Sequence, residues 1–277
     1  MQPTSEFLTS INEQSPLIAT AIHDGHALRP EIARRIGLTD AERLREEDPY
    51  TGIFAQSAPN WVIGTRSRFE VDLNRPHDEA VYLEPSHAWG LNVWRAPPDE
   101  KIVERSLQHY DHFHDLMEHL LAHLLEQHER VVVLDIHSYN HRRHGPLGPI
   151  ASCKTHPEMN IGTGSMDRTT WAPVVDSFIS SLRARHCQGH QLDVRENVKF
   201  QGGHFPTWIH ETFPNTVCAI AIEFKKCFMD EWTGEPDWQH IEELSRALRE
   251  SLPSILAGLR KMPASANSIS FSLGNSS

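Results

Sequence analysis

Histidines and a carboxylate accompany apolar, strand-like runs at three places in this chain of 277 residues. His23 and His26 follow the first run, His137 follows Val131 to Ile136, and Glu223 lies inside Val217 to Phe224. Neutral imidazoles can hold a zinc ion with one position open for water, and a nearby carboxylate can take a proton from that water. The three segments together predict a metal-dependent hydrolase.

The segment after His137 strengthens this interpretation. A histidine directly after a buried strand, taken alone, is better explained as a hydrogen-bonded strand cap. Here it is followed by the polar and cationic residues Ser138, Tyr139, Asn140, His141, Arg142, Arg143 and His144. A buried strand that opens onto so many polar groups indicates a cleft.

His23 and His26 are three residues apart around Asp24 and Gly25. In a turn this spacing lets two side chains converge on one metal, and glycine permits the backbone bend. Two alternatives stay open. The histidines can be incidental members of a surface loop, or Asp24 can be a ligand or a partner that orients an imidazole.

Glu223 stands in a strand so apolar that an unpaired carboxylate would be costly there. One explanation is an ion pair with Lys225 or Lys226. The other is a general base whose pKa is raised by burial.

Two arginines, Arg68 and Arg75, flank a short segment that also contains Asn74. Guanidinium groups bind carboxylates in a bidentate manner, so this segment could hold a substrate carboxylate and polarise a carbonyl. The alternative is an ordinary cluster of surface ion pairs.

Strands and helices alternate along the chain without a linker or an internal repeat, which predicts one α/β domain over residues 1–262 with a largely parallel or mixed sheet. In such folds ligands bind beyond the carboxyl ends of the strands, where His137 lies. The serine- and asparagine-rich tail, residues 263–277, is expected to be flexible. The patterns predict helices over residues 28–46, 99–128, 168–185 and 237–259, and strands over 68–73, 131–136 and 217–224.

The formal charge of −11 disfavours nucleic acid or an acidic membrane surface as a partner, whereas local arginines still allow a small anionic substrate. No apolar run approaches the roughly 18 residues of a membrane span. The N-terminus lacks a signal-peptide pattern, and the four cysteines have no C-x-x-C spacing, so we expect a cytoplasmic protein with reduced thiols. The sequence leaves assembly into a homo-oligomer open.

Six of the 19 histidines fall within residues 109–128, and we interpret them as the solvated face of a long helix. His119 and His123 have the i, i+4 spacing of a metal-binding pair, but the residues between them supply no carboxylate for catalysis.

Four short motifs, in order along the chain, resemble the N-formylglutamate amidohydrolase family, which is similar to zinc carboxypeptidases and aspartoacylases. The resemblance covers roughly residues 18 to 235. The motifs are Asp72-Leu73-Asn74-Arg75 preceded by Arg68, Asp135-Ile136-His137-Ser138, Gly202-Gly203, and Ile222-Glu223 followed by Met229-Asp230-Glu231.

This resemblance implies a three-layer α/β/α fold with a central mixed sheet, like that of zinc carboxypeptidases, and one catalytic zinc. It assigns His23, His26 and His137 as metal ligands, with His26 where the carboxypeptidases have the glutamate of H-x-x-E. Glu223 matches the general base and Arg68 the residue that polarises the scissile carbonyl, while Asn74 and Arg75 resemble the carboxylate-binding pair. The chain departs from the family pattern at Asp24 in the first motif and at His204, where an aromatic or aliphatic residue is expected.

The sequence therefore predicts a zinc-dependent amidohydrolase of small N-acyl amino acids, with N-formyl-L-glutamate as the leading substrate. The same ligands could take another divalent metal. One alternative is a carboxypeptidase-like hydrolase of small peptides or of other acyl amino acids. A second is a non-catalytic metal-binding protein with the same fold.

Overall fold

The computed structural model of the protein describes residues 6–263, which fold around a seven-stranded mixed sheet. The strands are β1 (Phe7–Ser10), β2 (Leu17–Ala21), β3 (Asn60–Gly64), β4 (Val131–Tyr139), β5 (Met159–Gly162), β6 (His186–Cys187), β7 (His190–Gln191), β8 (Val194–Glu196) and β9 (Val217–Lys225). The helices are α1 (Pro30–Ala33), α2 (Asp40–Glu46), α3 (Thr51–Ala55), α4 (Glu100–Gln127), α5 (Ala172–Arg183), α6 (His204–Thr212) and α7 (Trp238–Leu259). Short 3-10 helices cover His77–Glu79, Pro85–Ala88 and Lys226–Phe228.

The strand order across the sheet is β1-β3-β2-β4-β9-β5-β8, and β6 and β7 form a separate two-stranded ribbon. The four central strands β3, β2, β4 and β9 are parallel, whereas β1 and β5 pair antiparallel with their neighbours in this group. The central strands therefore end at one edge of the sheet, and that edge is where a ligand site is expected.

Helices cover both faces of the sheet. Alternate residues of β4 point to opposite faces: Val132 and Leu134 pack into a core with α3, α5 and α7, while Val131 and Val133 pack into a core with α4 and α6. Burial on both faces explains why β4 is a continuous apolar run. The predicted three-layer α/β/α fold with a central mixed sheet is confirmed.

Three of the predicted helices are confirmed in position, since α4, α5 and α7 lie within 99–128, 168–185 and 237–259. The strands predicted over 131–136 and 217–224 correspond to β4 and β9. Capping explains the start of two of these helices: the side chain of Asp99 accepts a hydrogen bond from the Ile102 backbone N–H, and that of Asp237 accepts one from His240.

The single helix predicted over residues 28–46 is wrong. Residues 34–39 separate α1 from α2, and Thr39 restarts the helix with a capping box that it shares with Glu42. The strand predicted over 68–73 is also wrong, because that segment turns and does not join the sheet. Residues 68–73 alternate in the manner of a strand because some of their acidic side chains are buried in ion pairs. Glu70, for example, binds the side chains of Arg29 and Arg66.

Two histidines of α4 correct the prediction of a wholly solvated histidine face. His109 and His114 are buried, His109 stacking on Phe7 and His114 on Tyr110. His112 and His119 are exposed, as predicted. Apart from Pro263, the predicted flexible tail lies outside the described residues. Within residues 6–263, no helix has the length and apolar character needed to cross a membrane.

Candidate active site

The three segments that the sequence singled out lie on neighbouring parallel strands. His23 follows β2 by two residues, His137 lies near the end of β4, and Glu223 is its register partner on β9. A cavity of about 620 Å³ opens at this edge, and all three side chains line it. We call it the central cavity. The tertiary structure therefore brings His23, His137 and Glu223 into one site.

His23, Asp48 and His137 form a buried group that could hold a metal ion, with one ligand atom from each residue within 4.8 Å of the others. The Nδ1 atoms of His23 and His137 lie 3.4 Å and 3.1 Å from Oδ2 of Asp48. Three ligands of a tetrahedral zinc ion, each bound at about 2.0–2.1 Å, would lie about 3.3 Å apart. The two distances to Asp48 fit such an ion.

Both histidines are oriented by a second carboxylate. Nε2 of His23 lies 2.7 Å from Oδ1 of Asp72, and Nε2 of His137 lies 2.8 Å from Oδ2 of Asp135. A carboxylate that accepts the Nε2–H proton leaves the Nδ1 lone pair free, which is the usual arrangement behind a metal-bound histidine. Nδ1 of His23 is buried and has no hydrogen-bond partner among the described residues. The donor set therefore fits a divalent cation.

His26 lies outside this group. Its Nδ1 is 2.5 Å from Oε2 of Glu47 and its Nε2 is 2.9 Å from Nη2 of Arg43, and the ring is about 39% exposed. The cause is the turn after His23, where Gly25 packs so closely on the Thr65 backbone that a Cβ would collide with it. The chain is thereby directed along residues 65–66, and the structure does not bring His26 to His23 and His137.

Asp48, and not His26, lies with His23 and His137 in the candidate metal group, and the sequence analysis did not single it out. Its backbone N–H donates to the His23 carbonyl, and its Oδ1 accepts a hydrogen bond from Ser138. Burial opposes its ionisation, but the adjacent imidazoles of His137 and His23 hold its pKa well below the ordinary value. The sequence signal that could have found it is Asp48-Pro49, which begins a turn-like segment that ends at Gly52.

Lys226 anchors the segment that leads to Asp48. The side chain is buried, and its ammonium donates hydrogen bonds of 2.6 Å to the carbonyls of Arg45 and Glu47, at the end of α2. A cation at a helix C-terminus is favourable, and here it also satisfies two carbonyl groups that α2 leaves free.

Glu223 forms no hydrogen bond or ion pair with any side chain in the described part of the chain. Lys226 is engaged with α2, and Lys225 donates only to the carbonyl of His156, so neither lysine neutralises it. Burial raises the pKa of Glu223 to about 7; the charge of His137 opposes this shift and the carboxylate of Asp48 adds to it. A carboxyl group that titrates near neutrality beside a metal group is suited to proton transfer.

Arg68 lines the central cavity and belongs to the same network. Its Nη2 lies 2.6 Å from Oδ2 of Asp72, and Tyr82 donates to the same carboxylate oxygen. Asp72 thus connects Arg68 to the ring of His23, so the arginine is not part of a surface ion-pair cluster. The guanidinium also stacks on Trp89, 4.9 Å from the ring centroid.

Asn74 and Arg75 also line the central cavity. Asn74 is fixed by the Phe205 backbone N–H, which donates to its Oδ1 at 2.8 Å. Gly203 makes this approach possible, because a Cβ at that position would collide with the Asn74 side chain. Arg75 is held loosely, by a 3.2 Å hydrogen bond to the His87 carbonyl and by Glu79 at 4.0 Å. His204, the other departure from the family pattern, lines the same cavity.

The fold and the site define a three-layer α/β protein with a candidate metal group at the carboxyl edge of a mixed sheet. The chain belongs to the N-formylglutamate amidohydrolase family, whose model matches residues 15–229. A comparison with curated proteins gave no match.

Two solved structures have the same fold. N-formylglutamate amidohydrolase from Ralstonia eutropha is 17% identical, with a TM-score of 0.72 over 93% of this chain and 98% of that one. A gene product of Agrobacterium tumefaciens is also 17% identical, with a TM-score of 0.65 over 93% and 97% of the two chains. A carboxypeptidase A-like protein from Shewanella denitrificans matches more weakly, with 11% identity and a TM-score of 0.38 over 91% and 60%.

Proposed function

We propose that the protein is a zinc-dependent amidohydrolase that cleaves the acyl amide of a small N-acyl amino acid, with N-formyl-L-glutamate as the leading substrate. The observation that carries this proposal is the pair of carboxylate-oriented imidazoles, whose Nδ1 atoms converge on Asp48 beside an unpaired Glu223. Family membership supports the reaction class. The four free cysteines are in keeping with a cytoplasmic location.

His23, Asp48 and His137 would hold the metal. When bound there, a divalent cation supplies Lewis acidity, which lowers the pKa of a water molecule and polarises an acyl carbonyl. Asp72 and Asp135 keep each imidazole in the tautomer that presents Nδ1 to the site. The role of third ligand thereby passes from His26 to Asp48.

Glu223 would move the proton. Its carboxylate takes a proton from the water that attacks the acyl carbon and then delivers it to the nitrogen of the leaving amine, so that the amide and one water become formate and glutamate. A group with a pKa near 7 can act in both directions at neutral pH. Since no side chain of residues 6–263 forms an ion pair with Glu223, its carboxylate can face the substrate.

Arginines would bind the rest of the substrate. Arg68, held by Asp72, can donate to the acyl oxygen as negative charge develops on it. Arg75 has free guanidinium N–H groups for a substrate carboxylate, and the Nδ2 of Asn74 can donate to the same group.

The test is formate release from N-formyl-L-glutamate by zinc-loaded protein, with and without a chelator. We expect release that the chelator abolishes and that added zinc restores. No release from protein that holds zinc would reject this substrate. Hydrolysis of small peptides instead would support the carboxypeptidase-like alternative, and zinc binding without any hydrolysis would support a non-catalytic metal protein.

A further inference from the structure

A second cavity, of about 540 Å³, lies along the first three turns of α4. We call it the α4 groove. It shares no lining residue with the central cavity. Its walls come from α4 and from the chain that precedes this helix, and they consist of His77, Leu83, Pro98, Glu100, Val103, Glu104, Leu107, Gln108 and Asp111.

Part of the α4 groove is apolar. Val103 and Leu107 are one helical turn apart, and each packs against the core while part of its side chain stays exposed. Leu83 and Pro98 add apolar surface from the preceding segment, and Leu83 is 50% exposed. Apolar side chains that share a concave surface favour a ligand with an apolar body, because the ligand removes them from water.

Three carboxylates accompany this apolar surface. Glu100, Glu104 and Asp111 are spaced by four and seven residues, so they lie on one face of α4. Within residues 6–263, Glu100 and Glu104 form no ion pair and no side-chain hydrogen bond. The ion-pair partner of Asp111 is His77, at 3.3 Å, and both side chains are more than half exposed.

The basic residues of the same helix turns leave this charge in place. Arg105 binds Glu31 at 3.2 Å, on another side of the helix. Lys101 is exposed, and no carboxylate of residues 6–263 lies within ion-pair distance of it. The α4 groove therefore combines apolar surface with negative charge that the protein itself does not neutralise.

This charge decides between the possible occupants. A second copy of the chain, with a formal charge of −11, would be repelled, and so would an anionic substrate. The carboxylates are also too dispersed to share a metal ion: among the described residues, the group close enough to do so is His23, Asp48 and His137. An organic cation with an apolar body matches both properties of the groove.

We propose that the α4 groove is a binding site, separate from the central cavity, for a small apolar molecule that carries an amine or another cationic group. The apolar body covers Leu83, Val103 and Leu107, and the cation lies against the carboxylates of Glu100 and Glu104. A volume of about 540 Å³ falls within the usual range of about 300–1,000 Å³ for small-molecule sites.

The experiment measures the affinity of zinc-loaded protein for three probes of nearly equal shape by ligand-observed NMR titration. Tryptamine is the cation, tryptophol its neutral analogue and indole-3-propionate the anion. The titrations are repeated on Glu100→Gln/Glu104→Gln and on Leu83→Ser. The matched controls are Asp115→Asn/Glu118→Gln, at exposed positions further along α4, and Leu147→Ser, in an exposed loop.

We expect wild type to bind tryptamine about fivefold more tightly than tryptophol, and indole-3-propionate most weakly. Glu100→Gln/Glu104→Gln should weaken tryptamine binding about fivefold and leave tryptophol nearly unchanged, because only the charge interaction is lost. Leu83→Ser should weaken both about threefold, since the apolar contact is common to the two probes. The control variants should bind all three probes as wild type does.

Three results would overturn the site. The first is no binding of tryptamine, and the second is equal affinity of wild type for the three probes. The third is an unchanged tryptamine affinity in both groove variants. Glu223→Gln tests whether the amine enters the central cavity instead: it should bind tryptamine like wild type, and a loss confined to this variant would assign the amine to that cavity.

Discussion

His23 and His137 have matching surroundings although they are 114 positions apart in the chain. Their rings lie with centroids 4.9 Å apart, each directs Nε2 to a buried aspartate, and each directs Nδ1 to Asp48. Strand β2, which His23 follows, and strand β4, which contains His137, are adjacent and parallel.

Asp48→Asn should lose most of the bound metal, because a neutral amide oxygen is a weaker ligand than a carboxylate. His26→Gln should keep it, since His26 binds Glu47 and Arg43. The measurement is zinc affinity by competition with a chromophoric chelator. Loss of zinc in His26→Gln together with full retention in Asp48→Asn would restore His26 as the third ligand.

Asp135→Asn should weaken metal binding by about 10- to 100-fold, the usual effect of removing a carboxylate that orients a metal-bound histidine. Asp135 accepts from Thr20 through Oδ1 and faces His137 through Oδ2, so the asparagine can keep one contact and change the other. Thr20→Val is the control, because it removes only the contact to Oδ1. Equal losses in the two variants would show that Asp135 acts on the fold and not on His137.

Glu223→Gln should keep the metal and lower kcat by about 10²- to 10⁴-fold, because the amide cannot accept a proton. The general base works as a carboxylate, so activity should rise with pH through its pKa. That pKa is about 7 from burial and the surrounding charges, and a bound cation would lower it, which places the acid limb below pH 7.

The control for this variant is Glu211→Gln, on the exposed side of α6. The pH dependence of kcat/KM is measured for wild type and for both variants. Turnover near the wild-type level in Glu223→Gln, with an unchanged acid limb, would mean that another group is the base.

Lys226→Met should destabilise the protein by about 2 kcal/mol, since two carbonyl groups at the end of α2 would lose their buried hydrogen-bond donor. The matched control is the neighbouring Lys225→Met, whose ammonium makes one 3.4 Å hydrogen bond to the His156 carbonyl. Urea unfolding of metal-free protein gives both values. Equal stabilities for the two variants would contradict the anchoring role of Lys226.

His210 should make stability depend on pH. It accepts a hydrogen bond from the Ala219 N–H through Nε2 and contacts Ser165 through Nδ1, so it must be neutral. Burial lowers its folded-state pKa to about 4. As pH falls below the ordinary histidine pKa of about 6.5, the unfolded chain binds the proton first. The stabilising contribution of neutral His210 is therefore fully present above pH 6.5 and is lost as the pH falls from about 6.5 to about 4.

Between pH 7.5 and 5.5 this group should account for about 1.4 kcal/mol of lost stability. His210→Gln keeps a hydrogen-bond donor and an acceptor but does not titrate. In this variant the part of the stability loss that comes from His210 should therefore disappear. His119→Gln, at an exposed position of α4, is the control. An identical pH dependence in His210→Gln and wild type would show that His210 does not titrate on unfolding.

The parts of the fold that the sequence predicted are those with a strong local signal. The helix α4 has a capping aspartate and a long apolar stripe, and β4 and β9 are continuous apolar runs. The break at residues 34–39 depends on a capping box that restarts the helix at Thr39, and a pattern of apolar positions does not show it. Residues 68–73 alternate like a strand because the buried Glu70 meets Arg29 and the buried Asp72 meets His23, both from other segments, which is a tertiary effect.

By itself the sequence determined the chemistry available to this protein: two histidines and a glutamate at the ends of buried strands, arginines in a short segment, and motifs that define the family. Only the tertiary structure decided which groups meet. It placed Asp48, and not His26, beside His23 and His137 because the turn at Gly25 packs on Thr65. Among residues 6–263 it left Glu223 without an ion-pair partner, because Lys226 is bound to α2. Residue type and spacing specify which chemistry a side chain can perform. Long-range packing sets the distances between side chains, and these distances determine whether that chemistry can take place.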